Sequence, residues 1–162
     1  MTEMQIGDQT IRYDREATAA IYAGIKGWAE GCGCVGCRNL TVQRDVIYPA
    51  PFRELLSQLG IDPNKESEAV AYGPLQNGLH HYDGWFFFIG ELVTAGERLV
   101  SDSPYFHYHF TRHGPCPKEF RAGPALSIEF EAHFKWVLNE SWDSDRRPVT
   151  PLLPCRQAKR PR

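Results

Sequence analysis

The hydrophobic and polar positions of this chain follow a helical period at first and an alternating period after residue 67. Over residues 52–59 the apolar side chains recur at i, i+3, i+4 and i+7, which places them on one face of a helix. Pro49 and Pro51 open this segment, and Gly60 stands where helices commonly end. The pattern therefore predicts a helix that is buried through Phe52, Leu55, Leu56 and Leu59.

Upstream of this helix, the sequence predicts one strand and two further helices. Residues 9–13 have the composition of a short strand, and Asp14 is suited to cap a helix. The apolar stripe of that helix runs from Ala17 to Trp28, so the helix should end near residues 27–31. Residues 39–45 have the composition of a second, short helix.

Alternation of apolar and polar residues marks the strands that follow. Over residues 126–136, six apolar side chains alternate with five polar ones, so one face should be buried and the other hydrated. Further strands are predicted over residues 68–72, 85–92 and 105–112, and Asn77-Gly78 marks a turn.

Helices first and strands afterwards, without regular β-α-β alternation, predict an α+β fold. We expect N-terminal helices packed on a mostly antiparallel sheet of about four to five strands. Residues 1–145 should form one domain, since 162 residues with 42% hydrophobic residues suffice for a single core. Residues 146–162 contain four prolines and six basic residues, and are predicted to be a disordered tail.

Charge and hydropathy exclude several functional classes. Six of the 18 basic residues follow residue 145, which leaves 12 basic against 20 acidic residues before it, a net charge of −8. Such a body repels a phosphate backbone, so no nucleic-acid partner is expected. The longest apolar run, residues 85–89, is too short to cross a membrane, and residues 1–13 lack the features of a signal peptide. The protein is therefore expected in the cytoplasm.

Three of the five cysteines lie within the six residues from Cys32 to Cys37. In a reducing compartment, closely spaced thiols indicate metal binding or redox chemistry rather than structural disulfides. Zn²⁺ is the predicted ion, bound by Cys32, Cys34 and Cys37. Zinc usually takes four ligands, and Cys116 is the first choice for the fourth, ahead of a histidine. The histidines considered are His107, His109 and His113.

Other uses of these thiols remain open. A helix beginning near Asn39 would put Cys34 and Cys37 at its N-terminus, where the helix dipole lowers the pKa of a thiol and favours thiol–disulfide exchange or redox sensing. No thioredoxin-like β-α-β pattern surrounds the motif, however. An iron–sulfur cluster is a second candidate cofactor. Idle free thiols are the third interpretation.

The histidines and carboxylates show no further catalytic pattern. His107 and His109 share one face of a predicted strand, but a hydrated sheet face explains them more simply than a metal site. His80 and His81 should point to opposite faces, and His133 is expected at the surface. No phosphate-binding loop, nucleophile elbow, zinc-protease helix or dinucleotide fingerprint is present. The sequence thus favours a non-enzymatic protein, whose partner would be another protein.

Several segments resemble an uncharacterised family of small bacterial proteins with a Cys-x-Cys-x-x-Cys-Arg-Asn signature. The signature stands here at residues 32–39, and the resemblance continues through Tyr48-Pro49-Ala50-Pro51-Phe52, residues 59–66 and Gly84-Trp85-Phe86. It spans residues 10–136, which suggests one domain. The resemblance implies a bacterial, cytoplasmic protein in which the cysteine cluster is a shared feature, and it transfers no catalytic role.

Overall fold

In the part of the chain that the structure describes, the fold is built on one seven-stranded sheet in which every pairing is antiparallel. A computed structural model describes residues 1–96 and 99–145. The α+β prediction is confirmed, while the sheet is larger than the predicted four to five strands. The strands are β1 (Thr2–Ile6), β2 (Gln9–Tyr13), β3 (Glu68–Pro74), β4 (His80–Thr94), β5 (Val100–Ser103), β6 (Phe106–Thr111) and β7 (Ala125–Phe134).

The long strand β4 is the central strand of this sheet. The strand order is β1-β2-β4-β7-β6-β5, and β3 also pairs with β4. On one edge of β4, residues 80–89 pair with β7. On the other edge, residues 80–85 pair with β3 and residues 90–94 with β2. One strand thereby holds three neighbours in place.

The two strands that the sequence pattern does not predict, β1 and β5, lie at opposite ends of the sheet. The residues of β1 are mostly exposed, and β5 has only four residues. Only Met4 and Ile6 of β1 and Val100 of β5 pack against the core, and they are only partly buried, so these strands carry little apolar pattern and are defined mainly by backbone pairing with a neighbour.

The five α-helices of the described residues lie in the chain between β2 and β3. Two strands therefore precede them, and the prediction that the helices are N-terminal is not met; a single 3-10 turn, Lys118–Phe120, lies between β6 and β7. The helix predicted over 52–59 is confirmed and ends at Gly60. Asp14 caps its helix as predicted, through a hydrogen bond from the backbone N–H of Ala17 (2.9 Å). The helices are α1 (Arg15–Gly24), α2 (Trp28–Cys32), α3 (Val35–Thr41), α4 (Arg44–Ile47) and α5 (Ala50–Leu59).

The first helix is shorter than predicted because the chain becomes extended at Ile25. Its polar side chains form hydrogen bonds with the backbone of β4, at the residues between those that pair with β3 and those that pair with β2. The Tyr22 hydroxyl donates to the Phe87 carbonyl (3.0 Å), and the Ile89 N–H donates to Thr18 Oγ1 (3.0 Å). Helix α1 therefore satisfies backbone groups that have no strand beside them.

The core lies between α5 and one face of the sheet, here called the inner face. Side chains at even positions of β4, β6 and β7 form this face, and Phe86, Phe106 and Phe130 are each almost fully buried. Phe52 of α5 packs among them, with its ring centre 4.7 Å from that of Phe106. The alternation predicted for residues 126–136 is thus confirmed over β7, whose even positions face the core.

A buried ionic network joins α4 to the loop before β3. Nε and Nη2 of Arg44 donate to the two oxygens of Glu66 at 2.7 and 2.6 Å, and the Tyr48 hydroxyl donates to Glu66 Oε1 at 2.6 Å. Burial, together with the Glu66 charge, raises the pKa of Tyr48. Because each charge has a close partner, removing one would leave the other buried and unpaired.

No helix among residues 1–96 and 99–145 is long and apolar enough to cross a membrane. The predicted tail, residues 146–162, lies outside the described residues.

Gly84→Ala should destabilise the fold. A Cβ at Gly84 would lie 2.3 Å from Cζ of Phe130, whose ring is buried in the core. We expect the free energy of unfolding to fall by about 1–3 kcal/mol, measured by urea denaturation. Gly24→Ala is the matched control, because a Cβ there meets nothing within 4 Å. Equal stability of the two variants would contradict the packing described here.

Candidate metal centre

The three clustered cysteines occupy the junction of α2 and α3. Helix α2 ends at Cys32, and Gly33 adopts a left-handed conformation (φ 64°) that turns the chain. Cys34 then caps α3, and Cys37 lies in the first turn of that helix. The helix predicted from residue 39 therefore begins earlier, at Val35, because the turn at Gly33 supplies its start.

This junction brings the Sγ atoms of Cys32, Cys34 and Cys37 within 4.8 Å of one another. All three are free thiols. Sulfurs that share a tetrahedral zinc ion at 2.3 Å stand about 3.8 Å apart, so small side-chain rotations would close the site. Cys37 is buried, Cys34 is partly buried and Cys32 is exposed.

The electrostatics of the three thiols are unequal. Burial raises the pKa of Cys32, but hydrogen bonds from the Cys34 N–H and from the thiols of Cys34 and Cys37 outweigh it and lower that pKa. For Cys37, burial and then the neighbouring charges of Cys34 and Cys32 raise the pKa strongly. Three negative sulfurs this close repel each other, so a bound cation would stabilise the fully ionised cluster.

Cys116 lies outside this group of three sulfurs. It is partly buried against the core in the loop after β6, and its Sγ is 3.5 Å from the carbonyl oxygen of Pro117. Pro117 lines a groove of about 550 Å³ that is also lined by Cys32. Cys116 therefore adjoins, through Pro117, the groove that Cys32 also lines. Its role as the fourth ligand stays a prediction.

The histidines considered for the fourth position lie elsewhere. His107 and His109 are at odd positions of β6, on the outer face of the sheet, opposite the inner face and α5. His113 is exposed in the loop that follows β6. His80 and His81 point to opposite faces as predicted, with His80 buried and His81 partly exposed.

Asp145 is a further candidate ligand that the sequence pattern did not indicate, although its carboxylate, like the Cys116 thiol, lies outside the group of three sulfurs. Its Oδ2 accepts a hydrogen bond from the backbone N–H of Val35 at 2.5 Å, directly after Cys34. Its negative charge is the smallest of the influences on the pKa of Cys32 and opposes the net lowering of that pKa. The two residues joined by this hydrogen bond are 110 positions apart, so no local motif could have revealed it.

The Arg-Asn pair that follows Cys37 anchors the site. Asn39 is fully buried; its amide donates to Tyr82 Oη and to the Lys135 carbonyl, both at 3.3 Å. Its Oδ1 accepts from the backbone N–H of Val137 at 3.0 Å. The adjacent Arg38 forms an ion pair with Glu140 at 2.9 Å. Helix α3 is therefore attached both to β4 and to the chain that leaves β7.

Among the described residues, a second group with metal-ligand chemistry consists of His81, Glu131 and His133. The sequence pattern predicts His133 at the surface and His80 and His81 on opposite faces, but it does not group these three residues, because the register of β4 against β7 is needed to bring them together.

No family model, curated protein or solved structure matches this chain. The resemblance to a bacterial family therefore stays a prediction. The fold and the site define an α+β protein with a three-cysteine cluster at a helix–helix junction.

Asn39→Ala should loosen the attachment of α3. The substitution leaves the Val137 N–H without its partner and removes one of the two donors to the Lys135 carbonyl, which keeps Gln43. We expect this to cost about 1–3 kcal/mol in the free energy of unfolding. Urea denaturation with Asn64→Ala as the control measures this, since the Asn64 amide bonds only within its own exposed loop. A loss no larger than that of the control would contradict the anchoring role.

Proposed function

We propose that Cys32, Cys34 and Cys37 bind a structural zinc ion, and that the protein is a non-enzymatic domain that acts by binding another protein. The mutual approach of the three sulfurs is the observation that carries the proposal. Soft thiolate ligands select zinc among the common divalent ions. The ion would fasten α2 to α3, and Asn39 would transmit that restraint to β4.

A single ion suits the cluster better than an iron–sulfur centre. In a 4Fe–4S cluster each cysteine binds a different iron atom, and in a 2Fe–2S cluster at most two share one iron, so three cysteine sulfurs around a cluster stand farther apart than three that share one ion. The three Sγ atoms lie within 4.8 Å of one another, which is close enough for them to bind one ion. The site would then be closed by one further ligand, as structural zinc sites are.

Metal analysis of protein purified without a polyhistidine tag tests the zinc site. We expect about one equivalent of zinc, and a lower melting temperature after a chelator removes it, because structural zinc contributes to folding. Cys37→Ser should lose the zinc and the chelator effect together. Less than about a tenth of an equivalent, with a melting temperature indifferent to chelator, would contradict the proposal.

Two residues are candidates for the fourth ligand. The sequence predicts Cys116, whose thiolate zinc prefers, whereas the contacts of Asp145 favour its carboxylate, which already reaches the start of α3. We propose Asp145 as the ligand in the folded protein, with Cys116 as the alternative.

The variants Asp145→Asn and Cys116→Ser decide between these two ligands. Asparagine keeps an oxygen that can accept the Val35 hydrogen bond, so Asp145→Asn removes charge with little effect on the helix. We expect it to weaken zinc binding at least about tenfold, measured by competition with a chromophoric chelator, while Cys116→Ser leaves binding unchanged. The opposite result would assign the position to Cys116.

Thiol–disulfide exchange is the second candidate function, favoured by the exposure of Cys32 beside the groove. The Cys32 thiolate would attack a substrate disulfide and release one substrate thiolate. Cys34 would then attack the mixed disulfide, which leaves a Cys32–Cys34 disulfide and a substrate reduced by two electrons. Slow, uniform alkylation of all three thiols in the metal-free protein would rule this function out.

The acidic composition before residue 146 favours a protein partner over nucleic acid.

A further inference from the structure

The outer face of the sheet carries an unusual concentration of imidazole and carboxylate groups. Side chains at odd positions of the adjacent strands β4, β7 and β6 form it. This part of the face lies opposite the inner face and α5, away from the cysteine cluster, whose helix α3 contacts Tyr82 on the inner side. The residues are His81, Asp83, Glu129, Glu131, His133, His107 and His109.

Three of these residues converge. His81 and His133 are direct partners in the register of β4 against β7, and their ring centres are 5.1 Å apart. Glu131 lies two positions before His133 on the same strand, with its Oε1 3.0 Å from His133 Nε2. Ligand atoms of all three residues lie within 4.8 Å of one another.

The surroundings hold the ligands in position. Asp83 Oδ1 lies 3.0 Å from Nε2 of His81, so a carboxylate orients this ring. The Tyr72 ring packs 4.9 Å from the His81 ring, on the side of β3. The side chains of His81 and His133 are only 28% and 23% exposed. The ligands also stand on paired strands, which fix their spacing better than a loop would.

From this geometry we propose a second metal site, in which His81, His133 and Glu131 bind a divalent transition-metal ion such as Zn²⁺. Imidazole nitrogen with one carboxylate oxygen suits zinc and similar ions, whereas calcium and magnesium prefer oxygen ligands alone. Three protein ligands leave a coordination position for water or a small anion, as in catalytic zinc sites. The site is therefore open, unlike a closed thiolate site.

Without a metal, the same residues form ion pairs only where a histidine is protonated. Asp83 is the partner of His81 and Glu131 is the partner of His133, but two protonated imidazoles this close would still repel each other. A divalent cation satisfies both neutral rings and the Glu131 carboxylate at once. Metal binding requires the three groups to lie this close together, whereas a hydrated surface does not.

Zinc titration of the full-length, tag-free protein, monitored through the histidine side-chain NMR signals, tests this proposal. We expect the signals of His81 and His133 to shift together and to saturate at one equivalent beyond any thiolate-bound zinc. Because these signals report imidazoles alone, the result is independent of whether the cysteine cluster binds metal.

His133→Ala and Glu131→Gln should each weaken this binding at least about tenfold, since even the loss of groups that only support a ligand typically costs 10- to 100-fold. His113→Ala, at an exposed loop position, is the matched control and should bind as the unmodified protein does. Metal-free melting temperatures establish that the variants are folded, and Glu131→Gln serves if His133→Ala is not. Absence of the imidazole shifts, or full affinity in a folded Glu131→Gln or His133→Ala variant, would overturn the site.

Discussion

The pairing of β4 with three neighbouring strands is the constraint on which the structure depends. Because β4 runs between β7 on one edge and β3 and β2 on the other, its register sets which side chains of the sheet meet on each face. On the inner face this register aligns Phe86 and Phe130 under α5. The absence of a side chain at Gly84 gives the Phe130 ring its place. Tertiary packing and strand register thus specify each other.

Two polar attachments keep the helical layer on that sheet. The Arg44–Glu66–Tyr48 network ties α4 to the entry of β3, and Asn39 ties α3 to β4 and to the exit of β7. Both are buried, and both satisfy their hydrogen-bonding groups, which is the condition under which buried polar groups specify a fold at little cost. The second attachment also fixes the position of the cysteine cluster, because Asn39 follows Cys37 by two residues in the same helix.

Features set by local spacing were predictable from the sequence. The cap at Asp14, the helix ending at Gly60, the alternation of β7 and the three-cysteine cluster each arise from residues within a few positions of one another. The edge strands β1 and β5 were not, because pairing rather than burial defines them. Asp145 and the His81–Glu131–His133 group also escaped prediction, since their partners are brought near only by long-range register.

Neighbouring residues of β4 serve opposite sides of the molecule. Tyr82 contacts the cysteine-bearing helix on the inner face, and His81 belongs to the histidine group on the outer face. An insertion or deletion of one residue within β4 would therefore move imidazole rings to the inner face, into the aromatic core, and phenyl rings to the outer face, into water. We therefore expect evolution to change β4 by substitution and to confine insertions and deletions to the connecting loops. Both faces of the sheet then keep their residues in register.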